Sequence, residues 1–447
     1  MTPALAHGVG SVQDLPVPQW LFLYGAGVVL IASFMALAVL WRRPLLEAYR
    51  GGRPLPGRLQ RILLSPALRI ALGAASLGLL ALVFATALVG ERSPGGNLAP
   101  TFVYVLFWLG LVPVVVVLGN VWPGLNPWKA AADAAEWVAG RLGARSEPLA
   151  YPVRLGRWPA AGLLFLFAAL ELAYYDPADP RALALAIALY SGATWIGALV
   201  FGSEVWFRRG DGFSAYFDLL SRMAPFAAVD RNGHPELVLR PPIVGLTSLR
   251  DPVPGTIAFV AVMLGSVGFD GFSGTSWWRD RSATWGDVQG TLLDLVGLAV
   301  AVVTVAGLYL AAVTVARLLA GERRPLAGAF VGSLVPIALV YAVSHYFSLL
   351  VVQGQFARQL ASDPFGWGWD LFGWSDARPD LAPFEPNTIW YVQVGTLVVG
   401  HVIGLAVAHD RAVALFPSAS RALRTQYPLL VLMVAYTVGG LWLLSQD

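Results

Sequence analysis

The chain has 447 residues, is 57% hydrophobic and 13% charged, and carries a formal net charge of +3 with no cysteine. Average soluble proteins hold about 25% charged residues, so this composition excludes a set of ordinary water-soluble domains. The missing cysteines exclude disulfides, thiolate metal sites and cysteine nucleophiles, and the basic residues, 29 arginines and Lys129, form no nucleic-acid-binding pattern.

Residues 1–18 read as an outer tail. Within it, ALA before His7 has the small-x-small form of a signal-peptidase site, although no basic or apolar segment precedes it. A mature chain beginning at His7 could chelate copper through its amine and ring nitrogen; otherwise the stretch is a plain tail. Ten apolar stretches follow, near residues 19–41, 66–90, 100–123, 159–175, 182–202, 254–271, 290–316, 326–352, 388–409 and 427–444. They are read as helices spanning hydrocarbon about 30 Å thick at about 1.5 Å per residue.

With the amino terminus outside, inner loops near 42–65, 124–158, 203–253, 317–325 and 410–426 hold 23 of the 30 Lys and Arg residues, and Arg69, at the inner end of the second span, makes 24 on that side. The outer loops keep only Arg92, Arg181, Arg279, Arg281, Arg358 and Arg378. This asymmetry is the positive-inside pattern. It predicts an all-α, polytopic transmembrane helical bundle of about ten spans, a single membrane domain over 19–447, with both termini outside.

Asn126 followed by Pro127 predicts a helix start in the second inner loop, because the first amides of a helix lack intrahelical partners. Residues 213–226, with Asp218 and Arg222 four apart, predict a helix lying in the membrane interface. Pro113, Gly119 and Pro123 in the third span, and Pro336 in the eighth, are candidate helix breaks, and freed backbone groups often line substrate sites. In the outer loop 353–387, Trp367, Trp369 and Trp374 with Phe365 and Phe372 suit either interfacial anchoring or a lid over an outward cavity.

Ionisable side chains inside spans cost about 2.5–3.5 kcal/mol at mid-bilayer on insertion scales, so each marks a candidate site. They are Glu171, Asp270, Asp294, His345 and His401, with Gln353, Gln355 and Gln393 nearby. His345 and His401, on consecutive antiparallel spans, are expected to face each other. With a carboxylate they would make a first shell for copper, zinc or iron, or else each serves as packing glue between helices. His409, in the run His-Asp-Arg at the inner end of the ninth span, is expected to be a helix cap with Asp410 and Arg411 in water.

The stretches AHGVGSVQDLPVPQWLF, SHYFSLLVVQGQ, GWDLFGW and GHVIGLAVAHDRA give the chain a resemblance, nearly end to end, to bacterial polytopic membrane proteins labelled fenitrothion hydrolase. The resemblance implies a multi-pass protein of the bacterial cytoplasmic membrane and hydrolysis of an organothiophosphate triester. Such chemistry would need a metal-activated water, with His345 and His401 as ligands and Glu171 or Asp294 as third ligand or base. A transporter or metal-handling permease, taking a small-molecule or metal-ion substrate, would explain the same polar residues. A subunit or assembly factor of a membrane complex would use the tryptophan-rich loop for docking.

Overall fold

A computed structural model describes residues 18–49, 51–144, 147–249 and 252–445. The tail with His7 and its candidate cleavage site lies outside the described residues. Among the described residues, nine helices are long and apolar enough to span a membrane: Trp20–Leu40, Pro66–Val89, Leu98–Leu118, Pro180–Phe201, Thr256–Ser273, Asp287–Leu319, Ala327–Gln353, Asn387–Leu415 and Ala419–Leu444. A shorter apolar helix, Trp158–Leu172, stands where the fourth span is expected. We number these ten in chain order.

Large apolar side chains face outward around the bundle. On the seventh span Val288, Leu292, Val296, Val300 and Val303 are all exposed. Their three- and four-residue spacing makes one apolar stripe along the helix. A soluble protein rarely shows so large an apolar patch to water, whereas lipid is its natural neighbour. The chain is an all-α integral membrane protein.

The sixth and eighth spans form the centre. In their most apolar stretches 72% and 67% of residues are buried, against 22–39% in the other long spans. The eighth packs on the ninth, and the sixth on the seventh and on the short fourth. Close approach is set by small residues: a Cβ on Gly400 would lie 2.3 Å from a methyl of Val340 on the eighth span.

Helix ends follow the local chemistry. Asn126 accepts the Lys129 amide ahead of the helix Pro127–Arg141, as its Asn-Pro start predicts. Of the candidate breaks in the third span, Gly119 ends the helix, whereas Pro113 lies within Leu111–Leu118 and Pro123 within the short helix Trp122–Leu125. Thr101–Leu109 is π-helical, Leu111–Leu118 is α-helical, and Gly119 ends it at φ 88°. A Cβ at Gly119 would sit 2.5 Å from the Phe226 carbonyl oxygen, so both its backbone angle and its surroundings require glycine there. The eighth span begins irregularly too, with a 3₁₀ turn over Val331–Ser333 before the regular helix Leu334–Gln353 that holds Pro336 in its first turn.

Two features of the connecting loops differ from expectation. Strands β1 (Arg53–Pro54), β2 (Phe226–Arg231) and β3 (His234–Leu239) form a small antiparallel sheet in the order β1-β3-β2. Asn232 and Gly233, both at positive φ, make the β2–β3 turn, which is the Asn-Gly hairpin signal. The expected interfacial helix is instead an interior one. Gly212–Ser221 buries Phe213, Tyr216, Phe217, Leu219 and Leu220 against the third, fourth and eighth spans. Its aromatics are core, with Phe213 packed 4.6 Å from Phe107 and 5.1 Å from Phe167.

The tryptophan-rich loop docks along one edge. Phe365 and Pro364 carbonyls accept the amides of Glu91 and Leu98 at 2.8 and 3.1 Å. Phe365 stacks on Trp367 at 4.4 Å, and the rings of Trp367 and Trp369 remain exposed.

Candidate functional site: a buried aspartate between two cavities

Asp270 lies near the end of the sixth span and is 3% exposed. A single oxygen, Oδ2, accepts the Tyr346 hydroxyl at 2.6 Å and meets His345 Nε2 at 2.8 Å. His345 and Tyr346 are neighbours on the eighth span, their rings edge-on at 4.8 Å. The carboxylate thus joins the two central helices through the polar groups that membrane interiors tolerate least.

A cavity opens on each side of this group. Beyond Tyr346, a narrow space of about 20 Å³, measured as room for the centre of a water molecule, is lined by Trp108, Phe167, Glu171, Tyr216 and Met263. That is room for one or two waters. Beyond His345, a smaller space of about 10 Å³ is lined by Tyr341, Ser344, Leu397 and Gly440.

The irregular spans supply the first cavity. The π-helical segment carries Trp108, whose ring lies 4.9 Å from Tyr346 and 5.5 Å from Phe167. π-helical turns inside α-helices recur at functional sites. The fourth span has 15 residues and therefore extends only about 22 Å. Its last turn delivers half-buried Glu171 to the cavity.

At the other end of that short helix, Arg157 is buried and pairs with Asp218 at 2.7 Å, and Arg222 meets the same carboxylate oxygen at 3.0 Å. Burial pushes the Asp218 carboxyl up, but Arg222 and Arg157 together outweigh it and hold the group below the usual carboxylate value. The i, i+4 pairing of Asp218 with Arg222 is as the sequence predicts; the partnership with Arg157 is not legible there.

The remaining sequence candidates take other places. Asp294 accepts the Trp278 indole N–H at 2.7 Å and lines neither cavity. His401 is fully buried, with Nδ1 2.8 Å from the Leu397 carbonyl, and its ring lies 5.7 Å from that of Tyr341. Its Nε2 has no hydrogen-bond partner among the described residues. Among the described residues no group of three or more His, Asp or Glu side chains gathers in a way that could hold a metal ion. Copper and zinc thus remain expectations of the sequence.

The His-Asp-Arg run corrects a second expectation. The ninth helix continues to Leu415, so the run lies inside it, and His409, Asp410 and Arg411 are 2%, 1% and 6% exposed. His409 Nε2 meets the carbonyl of Trp41, the residue that ends the first span, and Nδ1 meets Gln426 Oε1. The histidine therefore caps a neighbouring helix rather than its own. Asp410 accepts the Trp41 indole N–H at 2.8 Å and the amides of Leu45, Leu46 and Glu47 at 2.5, 3.1 and 2.8 Å. Arg411 pairs with buried Glu47 at 2.5 Å and donates to the Thr247 carbonyl at 2.9 Å. Three charged or titratable residues avoid water because the loop after the first span folds onto them.

Fold and polar interior together define a polytopic helical membrane protein with an ionisable centre. No family model matches the chain, and no curated protein or solved structure matches it either.

Proposed function

We propose that this protein is a membrane transporter with a proton-conducting pathway through Asp270, His345 and Tyr346. The observation that carries the reading is the sharing of one buried carboxylate oxygen by an imidazole and a phenol between two cavities. Carboxylate and histidine chains within membranes are the usual proton relays of pumps and transporters. The π-helical segment of the third span and the short fourth span both line the first cavity and add support, since π-helical turns recur at functional sites.

The test is proton flux into proteoliposomes that enclose a pH-sensitive dye, under an imposed pH gradient. Wild-type protein should equilibrate protons at least about tenfold faster than the Asp270→Asn variant, with Tyr346→Phe between them. Wild-type rates equal to those of protein-free liposomes, or an Asp270→Asn variant as fast as wild type, would overturn the proposal.

A second reading has one specific support. Nδ1 of His401 faces a backbone carbonyl and so directs an unpartnered Nε2 into the core, the manner in which metal-bound imidazoles are generally held. The hydrolysis implied by the family resemblance would draw on a copper or zinc ion there. About one such ion per purified chain, lost in His401→Ala, is the result this reading requires.

A further inference from the structure

The cavity beside Tyr346 combines one carboxylate with a lining of aromatic rings. Glu171 enters it from the last turn of the fourth span, and Trp108, Phe167, Tyr216 and Tyr346 surround it. No basic side chain forms a hydrogen bond or ion pair with Glu171 among the described residues, and none lines the cavity. The other titratable groups at this place, Tyr216, Tyr346 and through it Asp270, are all proton acids. Tyr346 has committed its hydroxyl hydrogen to Asp270, so its oxygen keeps only lone pairs for any occupant.

A carboxylate and electron-rich rings favour a cation, since the ring quadrupole attracts positive charge most strongly where water is excluded. Apolar walls favour a cation that carries carbon over a hydrated metal ion, whose water shell the cavity could not replace with oxygen ligands. The small volume limits the size.

We propose that this cavity binds a small alkylammonium cation, with Glu171 as its counter-charge and Trp108 and Tyr346 as its aromatic walls. The proposal rests on the transport reading for its physiological meaning, and names the class of substrate that the transporter would carry. Glu171 then serves the substrate while Asp270 serves the proton, and Tyr346, which lines the cavity and donates to Asp270, links the two.

Binding can be read without transport. Methylammonium chloride titrated calorimetrically into the purified full-length protein should give one saturable site per chain, while methanol, a neutral molecule of similar size, should give none. Glu171→Gln should weaken the affinity at least about tenfold, Trp108→Leu about threefold, and Glu171→Asp should retain measurable binding. Each variant is compared only if it elutes and melts as the wild type does. Absence of saturable binding by the wild type up to about 50 mM, or an undiminished affinity in Glu171→Gln, would overturn the site. Protein that binds methylammonium but passes no protons would sink the proton-coupled reading and leave this site standing. Protein that passes protons but binds no methylammonium would do the reverse.

Discussion

Replacing Asp410 by alanine should loosen the protein more than any other single truncation on its arginine-rich side. The carboxylate receives four hydrogen bonds, three from consecutive backbone amides at Leu45–Glu47 and one from the Trp41 indole. Alanine leaves all four donors without this acceptor, and two of them, the amides of Leu46 and Glu47, are buried. A buried donor without a partner costs about 1–3 kcal/mol, so these two alone put the loss at about 2 kcal/mol or more. Arg411 and Glu47 remain paired beside the cavity so created, which limits how far the loop can relax. Asparagine keeps one acceptor oxygen for the indole and two amides and loses only the bond from Glu47, so Asp410→Asn should cost about 1–2 kcal/mol. Reversible unfolding in mixed micelles, followed by tryptophan fluorescence, measures both. An alanine variant within about 1 kcal/mol of wild type would mean that the loop is not held by this carboxylate, and would refute the reasoning.

Two further outcomes follow from other parts of the structure. Because the folded-state pKa of Asp218 is lowered, its contribution to stability is complete above the ordinary carboxylate value near about 4 and is lost as pH falls through the folded value. Wild type should therefore show an acid limb below about pH 4 that is shallower in Asp218→Asn, with the two curves parallel from about pH 5 to 8; equal acid limbs would remove Asp218 from the account. Gly119→Ala should destabilise by at least about 2 kcal/mol, since it adds backbone strain at positive φ to a clash with the Phe226 carbonyl. An unchanged thermal midpoint would show that this break is not fixed by glycine.

Much of the architecture is legible in the sequence because hydropathy averages over a helix length. Among the described residues, nine long apolar helices and one short one stand where ten apolar stretches predict them. Local rules also work: Asn126 caps, Asp218 meets Arg222, and the third span breaks at Gly119. What averages cannot reveal is partnership across the chain. The His-Asp-Arg run looks like a solvated helix end because its partners, Trp41 to Glu47, lie more than 360 residues earlier. Likewise, the aromatics of residues 213–221 have the amphipathic look of an interface helix, and only the surrounding spans make them interior. The β2–β3 hairpin was visible in Asn232-Gly233, but short strands carry no weight in a hydropathy reading. At the candidate site, Asp270, Glu171 and His345 are recognisable as costly residues, whereas the convergence of Tyr346, Trp108 and Tyr216 depends on the π-helical segment and the interior helix.

The clamp around Asp410 also sets an order of assembly. The amides of Leu45–Glu47 are synthesised early, and their acceptor is translated more than 360 residues later. At about 5–20 residues per second that interval is roughly 20–70 s. Throughout it the loop after the first span must remain at the membrane surface, its backbone bonded to water or lipid head groups. Closure of the bundle therefore waits for the ninth span to insert, so the segment made first is among the last to acquire its final neighbours.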